Sequence, residues 1–276
     1  MTPGDLALYK EIYACMHCSR AMSEKSVKSF VLQGPLQTLP VSHFGDIANA
    51  KIWLIGTNPK GRRADSNVGF RPSGFGSRTG ISDEQVAETF EHFRGYFQRA
   101  AHDSYFDRWI NTLDRLELGG THHTFRNGGI CCVDLIKCPT TDNWGNVVRG
   151  PDKLLIYGCF DLHRYFSQQV ALHVPRVLIF SAGLGARRYY PDNCRANRDL
   201  DLRQVWPKEL NDICSGVWSF SSPRQPSANV GQEIHRHLSI GLKSDSAVER
   251  AKPEEVRTAI QQVIRAWEQA GTAVPV

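Results

Sequence analysis

The chain has no run of about 18 apolar residues, so no transmembrane helix and no membrane partner are expected. The first six residues hold Pro3, Gly4 and Asp5 and no basic cluster. No secretory signal is read there, and a cytoplasmic protein is expected. Internal repeats and low-complexity tracts are also missing, which excludes solenoids and tails of biased composition. Charge of one sign is scarce: a net +5 permits a polyanionic partner without demanding one. With no sign of secretion, disulfides are not expected for the eight cysteines, at 15, 18, 131, 132, 138, 159, 194 and 214. Metal ligation and buried apolar thiols are the two readings that remain. At 276 residues, one large domain or one domain with appendages is the natural size class.

What is present is organised around Lys51 to Gly61, KIWLIGTNPKG. Ile52 to Ile55 is a short apolar run that stops at Gly56 and the turn-forming Asn58-Pro59. It reads as a buried parallel strand opening into a loop at its C-terminal end. Ligands of open α/β sheets sit at the carboxyl ends of strands, which puts Asn58 where an active-site polar group belongs. As an isolated feature it is equally a plain strand-to-loop turn.

Further apolar runs at 130–136, 175–181 and 217–220 read as a second, third and fourth strand. Between them lie helical patterns: residues 5–14, 82–100 with Ser82 as N-cap, 105–117, and a helix within 151–173 holding Cys159, Leu162, Tyr165 and Phe166. Residues 230–242 have helical character, 243–252 form a charged linker, and Pro253 opens a last amphipathic helix to Gln269. Strands alternating with helices predict a three-layer α/β/α sandwich around a mostly parallel four-stranded sheet. The expected division is a main domain over 1–242, with the linker and C-terminal helix of 243–276 packed on it.

Four segments in this order resemble the uracil-DNA glycosylase superfamily. Gly56-Thr57-Asn58-Pro59 looks like its first motif in the Gly-x-Asn-Pro form. Phe75 to Gly80 is similar to the loop that stacks an aromatic ring on the extruded base. Val133 to Cys138 looks like the strand whose family residue, normally Asn, reads the base edge. Ser221 to Asn229 resembles the second motif, His-Pro-Ser-Pro-Arg-Asn-Pro-x-Ala-Asn in the single-strand-selective branch. The layout Cys15, Cys18, Cys138 and Cys159 is similar to the iron–sulfur branch, where an N-terminal C-x-x-C joins a Cys after the base-reading strand and one in the following helix. The likeness spans about residues 10–235 and departs at two places: Phe220 stands where the motif-two His is expected, and Asp134 replaces the Asn.

The resemblance implies hydrolysis of the N-glycosidic bond of uracil or another deaminated base in DNA, single- or double-stranded, by a monomer. Asn58 would hold the attacking water, and the Ser221 and Ser222 hydroxyls would help the departing base. Gly56, Phe75, Asp134 and Phe220 would surround the base. Arg62, Arg63, Arg71, Arg78, Arg224 and Gln225 would meet DNA, the last two filling the space left by flipping. Loss of one leaving-group donor costs about 2.7–4 kcal/mol, so Phe220 implies a slow enzyme or an easily released base. Ionised, Asp134 only accepts hydrogen bonds; protonated, it imitates Asn. The four cysteines would hold a [4Fe–4S] cluster. Zinc is the rival metal, although zinc knuckles usually pair two C-x-x-C units and here the second pair is widely spaced. Two rival readings are a non-catalytic protein of the same fold that binds damaged bases or single strands, and a zinc-stabilised or metal-free α/β protein of unrelated chemistry. Cys131, Cys132, Cys194 and Cys214 read as ordinary thiols, and His122-His123 as loop residues.

Overall fold

A computed structural model describes residues 1–16, 39–57, 70–99, 105–139, 159, 162–181, 198–200, 214–223, 234–242 and 251–272. The fold class is α/β with a mostly parallel central sheet, as the alternation of patterns predicts. Contacts divide the chain into two compact units. The first comprises Met1–Phe44, Gly56–Tyr96 and Val133–Leu172; the second comprises Gly45–Ile55, Phe97–Cys132 and His173–Val276. The boundaries interleave along the sequence and do not follow the expected division at residue 242.

In the first unit, helix α1 (Pro3–Ala14) begins with a capping box: Thr2 Oγ1 accepts from Asp5 N at 3.2 Å, and Thr2 N donates to the Asp5 carboxylate at 2.6 Å. Two orphan N–H groups are thereby satisfied, and Pro3 lies where its missing donor costs nothing. Helix α2 (Asp83–Arg94) starts as predicted after Ser82, which pairs reciprocally with Gln85. It ends at Gly95, well short of residue 100. Tyr9, Phe90, Phe93 and His43 form an aromatic cluster between the two helices, with Tyr9 and Phe90 centroids 4.7 Å apart.

The second unit carries the sheet, except for the last residues of two strands. Strand β1 (Ile52–Gly56) is buried throughout. Helix α3 (Tyr105–Leu113) is shorter than the expected 105–117, because residues 116–123 turn back as a hairpin of β2 (Leu116–Leu118) and β3 (Thr121–His123). Gly119 and Gly120 make that turn at φ 61° and 73°. Such left-handed pairs match the twist of a hairpin, and the Gly-Gly signal outweighs the helical pattern before it. Strand β4 (Ile130–Asp134) follows. Helix α4 (Tyr165–His173) leads to β5 (Val177–Phe180), and the chain continues through β6 (Arg198–Leu200) and β7 (Cys214–Pro223) to β8 (Ile234–Leu242).

The sheet has six strands in the order β4-β1-β5-β8-β7-β6. β1, β5 and β8 run parallel in register, Ile52 beside Val177 beside Leu238. β4 joins β1 in the same sense, since Ile52 N donates to Gly129 O at 3.2 Å and Leu135 N to Gly56 O at 3.0 Å. The fourth parallel strand is therefore β8, where the pattern suggested a helix over 230–242. Leu238, Ile240 and Leu242 are fully buried at a period of two, and a strand paired on both sides takes that alternation. The expected fourth strand, 217–220, belongs to β7, which runs antiparallel to β8 and carries β6 at the edge.

Helix α5 (Pro253–Thr272) docks in the second unit on α3 and β2, in keeping with its expected packing on the main domain. Gln261 clasps Glu117 from both sides, donating to its carbonyl at 2.9 Å and accepting from its N–H at 2.6 Å. Trp267 is buried under the Arg176 guanidinium, 5.2 Å from the ring centroid. Truncating a buried Trp typically costs about 3–5 kcal/mol. Trp267→Ala is expected to lower stability by that amount in urea denaturation, and a loss below about 1 kcal/mol would contradict the docking. Among the described residues, no helix is long and apolar enough to cross a membrane.

Candidate functional site

In the first unit, the chain leaves β1 at Gly56-Thr57 and leaves β4 at Asp134. The two exits are laced together: Leu135 N donates to Gly56 O at 3.0 Å and Ile136 N to Thr57 O at 2.9 Å. The Asp134 side chain folds over Gly56. A Cβ on Gly56 would stand 2.0 Å from Asp134 Oδ1, so only glycine admits the carboxyl at this place. Asp134 is 6% exposed, and burial pushes its carboxyl up to about 7, with the neighbouring Lys137 pulling the other way. At neutral pH the protonated and ionised forms coexist. The protonated form presents one donor and one acceptor, as the Asn amide of the family strand does.

Beneath this lies a polar network that the sequence reading left out. Lys137 is 1% exposed, and its ammonium donates to the Asp134 carbonyl and, at 3.3 Å, to the Ser42 carbonyl. Gln169 Nε2 donates to the same Ser42 oxygen at 3.1 Å. The Ser42 hydroxyl bonds Tyr13 OH at 2.7 Å and His43 Nδ1 at 2.8 Å. Burial drives the Tyr13 phenol far above its ordinary range, so it stays a neutral hydroxyl. A lysine directly after an apolar strand was the one available signal for this network. Ser42 and His43 carry none, because their partners lie far along the chain.

Phe75 sits half-exposed in the loop before α2, its N–H donating to Pro72 O at 3.1 Å, and is sterically open to stacking. Phe70, five residues earlier, is already stacked on His92 at 3.7 Å. Arg71 is half-buried. Arg78, expected on phosphate, is instead 3% exposed and donates through Nη1 to the Cys15 carbonyl at 3.1 Å. A guanidinium enclosed in this way braces the end of α1 and does not reach a DNA backbone.

The cysteines gather in part. Cys15 caps α1, and its side chain hydrogen-bonds the buried Tyr165 hydroxyl, which Cys159 also adjoins closely enough to oppose ionisation. That hydroxyl donates to Glu11 O at 3.4 Å as well. Cys138 is buried in the same unit. Cys15 and Cys159 thus meet around one hydroxyl, a donor set suited to a thiolate-bound metal. Among the described residues, no three metal-binding side chains form a group, and Cys18 lies outside them. Cys131 and Cys132 are buried β4 thiols, as expected. His122 and His123 lie on the β3 hairpin strand, where burial lowers the His123 pKa.

Phe220, Ser221 and Ser222 lie on β7, paired with His237, Arg236 and His235 at the start of β8. Because β7 is antiparallel, they align with the N-terminal ends of the parallel strands, away from the ends marked by Ile55, Phe180 and Gly241. The structure does not bring these serines to the carboxyl ends where ligands of such sheets bind. Asn58, Arg62, Arg63, Arg224 and Gln225 lie outside the described residues. No known family matches this chain, and no curated protein sequence matches it.

Proposed function

We propose that the Gly56–Asp134 corner is a nucleobase pocket and that the protein is a DNA glycosylase acting on uracil or another deaminated base. The observation that carries this reading is the Asp134 carboxyl, buried at the end of a parallel strand over a glycine and held near neutrality in its proton affinity. A structural carboxylate is usually paired or exposed. One kept partly protonated in a strand-end corner suits recognition of a ligand edge that mixes donors and acceptors.

In the reaction the C1′–N bond of the nucleotide breaks, and its electron pair leaves on the base. A water oxygen bonds C1′ and gives up one proton, and the base is later protonated. Asn58 is assigned to hold that water, and Phe75 to stack on the base, a contact worth about 1–3 kcal/mol. Arg71 is the remaining described candidate for a phosphate contact. Cys15, Cys18, Cys138 and Cys159 are assigned to a [4Fe–4S] cluster that ties α1 to the strand-end segments. Such a cluster supplies cohesion and takes no part in hydrolysis. Zinc on the same thiols is the rival, separated by visible absorbance and metal analysis.

The direction of β7 favours a second reading, in which the same pocket binds a base without cutting. The serines assigned to leaving-group assistance are not at the strand ends that hold Gly56 and Asp134. One experiment divides the two readings. Oligonucleotides containing uracil, hypoxanthine or xanthine are incubated with the purified protein and treated with hot alkali. Strand cleavage that falls by two decades or more in Asn58→Ala is expected, on the scale of about 2.7–4 kcal/mol for a lost transition-state contact. Retention of the base-containing strand without cleavage would leave the binding reading standing and remove the enzyme.

A further inference from the structure

We propose that Lys137 is the fixed positive charge of this pocket, selecting nucleobases that bind or depart as anions, that is, lactam bases with an acidic ring N–H. The inference rests on the nucleobase-pocket reading and narrows its substrate class.

An ammonium with 1% exposure is unusual, because desolvation strongly disfavours a charge that lacks compensation. Both of its identified acceptors are main-chain carbonyls, of Asp134 and of Ser42. They fix the position of the head group without cancelling its charge. The Ser42 carbonyl is also shared with Gln169, and its hydroxyl is locked by Tyr13 and His43, so the acceptor is itself held in place. Lysine has three donors on a flexible stem, and here packing has removed that flexibility.

The charge lies directly behind the residue assigned to read the base. Asp134 feels Lys137 electrostatically, and a group bonded to Asp134 lies in the same field. When Asp134 is protonated the corner carries a net positive charge. When it is ionised the corner is neutral overall and no longer favours an anion. Glycosidic cleavage places negative charge on the departing base, where a preorganised cation is effective because no solvent must reorganise. Lys137 therefore supplies from behind the pocket part of what the absent motif-two His would supply from in front. It acts through the field and through the Asp134 main chain, which makes it a positioning residue.

The test uses free bases of nearly the same shape and rising N–H acidity: 5,6-dihydrouracil, uracil and 6-azauracil. Binding to the full-length protein is measured by calorimetry at a fixed pH of about 6.5, below the ordinary midpoint of the Asp134 carboxyl in this site. Affinity is expected to rise along the series, by about tenfold between uracil and 6-azauracil. That preference should collapse towards unity in Lys137→Met and persist in Lys137→Arg. It should also persist in Asp134→Asn, which removes the titrating carboxyl but leaves the ammonium. Because Lys137→Met strands two buried carbonyls, its fold is checked by circular dichroism. If it does not fold, the ranking in the unaltered protein and in Asp134→Asn decides. A flat or reversed ranking, or one unchanged in folded Lys137→Met, overturns the role of Lys137 and leaves the pocket in place. Failure of the unaltered protein to bind any of the three bases overturns the pocket reading, and this inference with it.

Discussion

Gly56→Ala is expected to disable the site while leaving most of the fold in place. The new Cβ would stand 2.0 Å from Asp134 Oδ1, far inside any real carbon–oxygen contact, and 3.2 Å from its carboxyl carbon. Neither main chain can retreat, since Gly56 O and Thr57 O already accept from Leu135 and Ile136. Ser181 N likewise holds Ile55 O at 2.9 Å. The cheapest relief is rotation of the Asp134 side chain off the glycine. Overpacking of this kind costs about 1–3 kcal/mol, so a modest fall in stability is expected together with loss of base binding and of any excision. Gly76→Ala is the matched control: nothing lies within 4 Å of its added Cβ, and both readouts should be unchanged. A Gly56→Ala protein that binds bases as well as the parent would show that the pocket is elsewhere.

Asp134→Asn is expected to change how stability depends on pH. Burial raises the Asp134 carboxyl to about 7, well above its value of about 4 in an unfolded chain. Below the unfolded value both states hold the proton and the site costs nothing. Between the two values the unfolded chain releases a proton that the folded protein keeps. Stability therefore falls as pH rises, by up to about 1.4 kcal/mol per pH unit, and levels off above the folded value. Lys137 is the charged group beside the carboxyl, and it moderates this shift without reversing it. An Asn cannot ionise, so the variant should match the parent near pH 4 and gain on it steadily towards pH 7, with a constant advantage beyond. Denaturant titrations of both proteins at several pH values give this difference directly, with other titrating groups cancelling. A gap independent of pH would mean that Asp134 is ionised and solvated throughout. If base preference also stays the same in Asp134→Asn, the protonated carboxyl is what reads the base.

Local rules written in the residues were decisive wherever one neighbourhood settles the structure. Thr2 and Ser82 end their helices correctly because a capping hydroxyl needs only an N–H two or three residues on. Ile52 to Ile55 and Val177 to Phe180 are strands because short, uninterrupted apolar runs can be buried on both faces only in a parallel sheet. The α/β class follows from their alternation with helices, and the Gly56–Asp134 corner was legible because both residues close such runs.

Choices that depend on pairing were hidden. IHRHLSIGL supports either period until β5 and β7 take its two edges, and then only the strand satisfies its main chain. The same pairing reverses β7 and carries Phe220, Ser221 and Ser222 to the other end of the sheet from the strand exits, although their spacing resembles a site motif. Arg78 reads as a surface cation until the loop folds it onto the Cys15 carbonyl. Lys137, Ser42 and Tyr13 form one network across more than a hundred residues of sequence, held by distances that no local pattern encodes. Short-range hydrogen bonding and burial periodicity are properties of a segment, whereas strand direction and the company of a buried charge are properties of the assembled sheet and core.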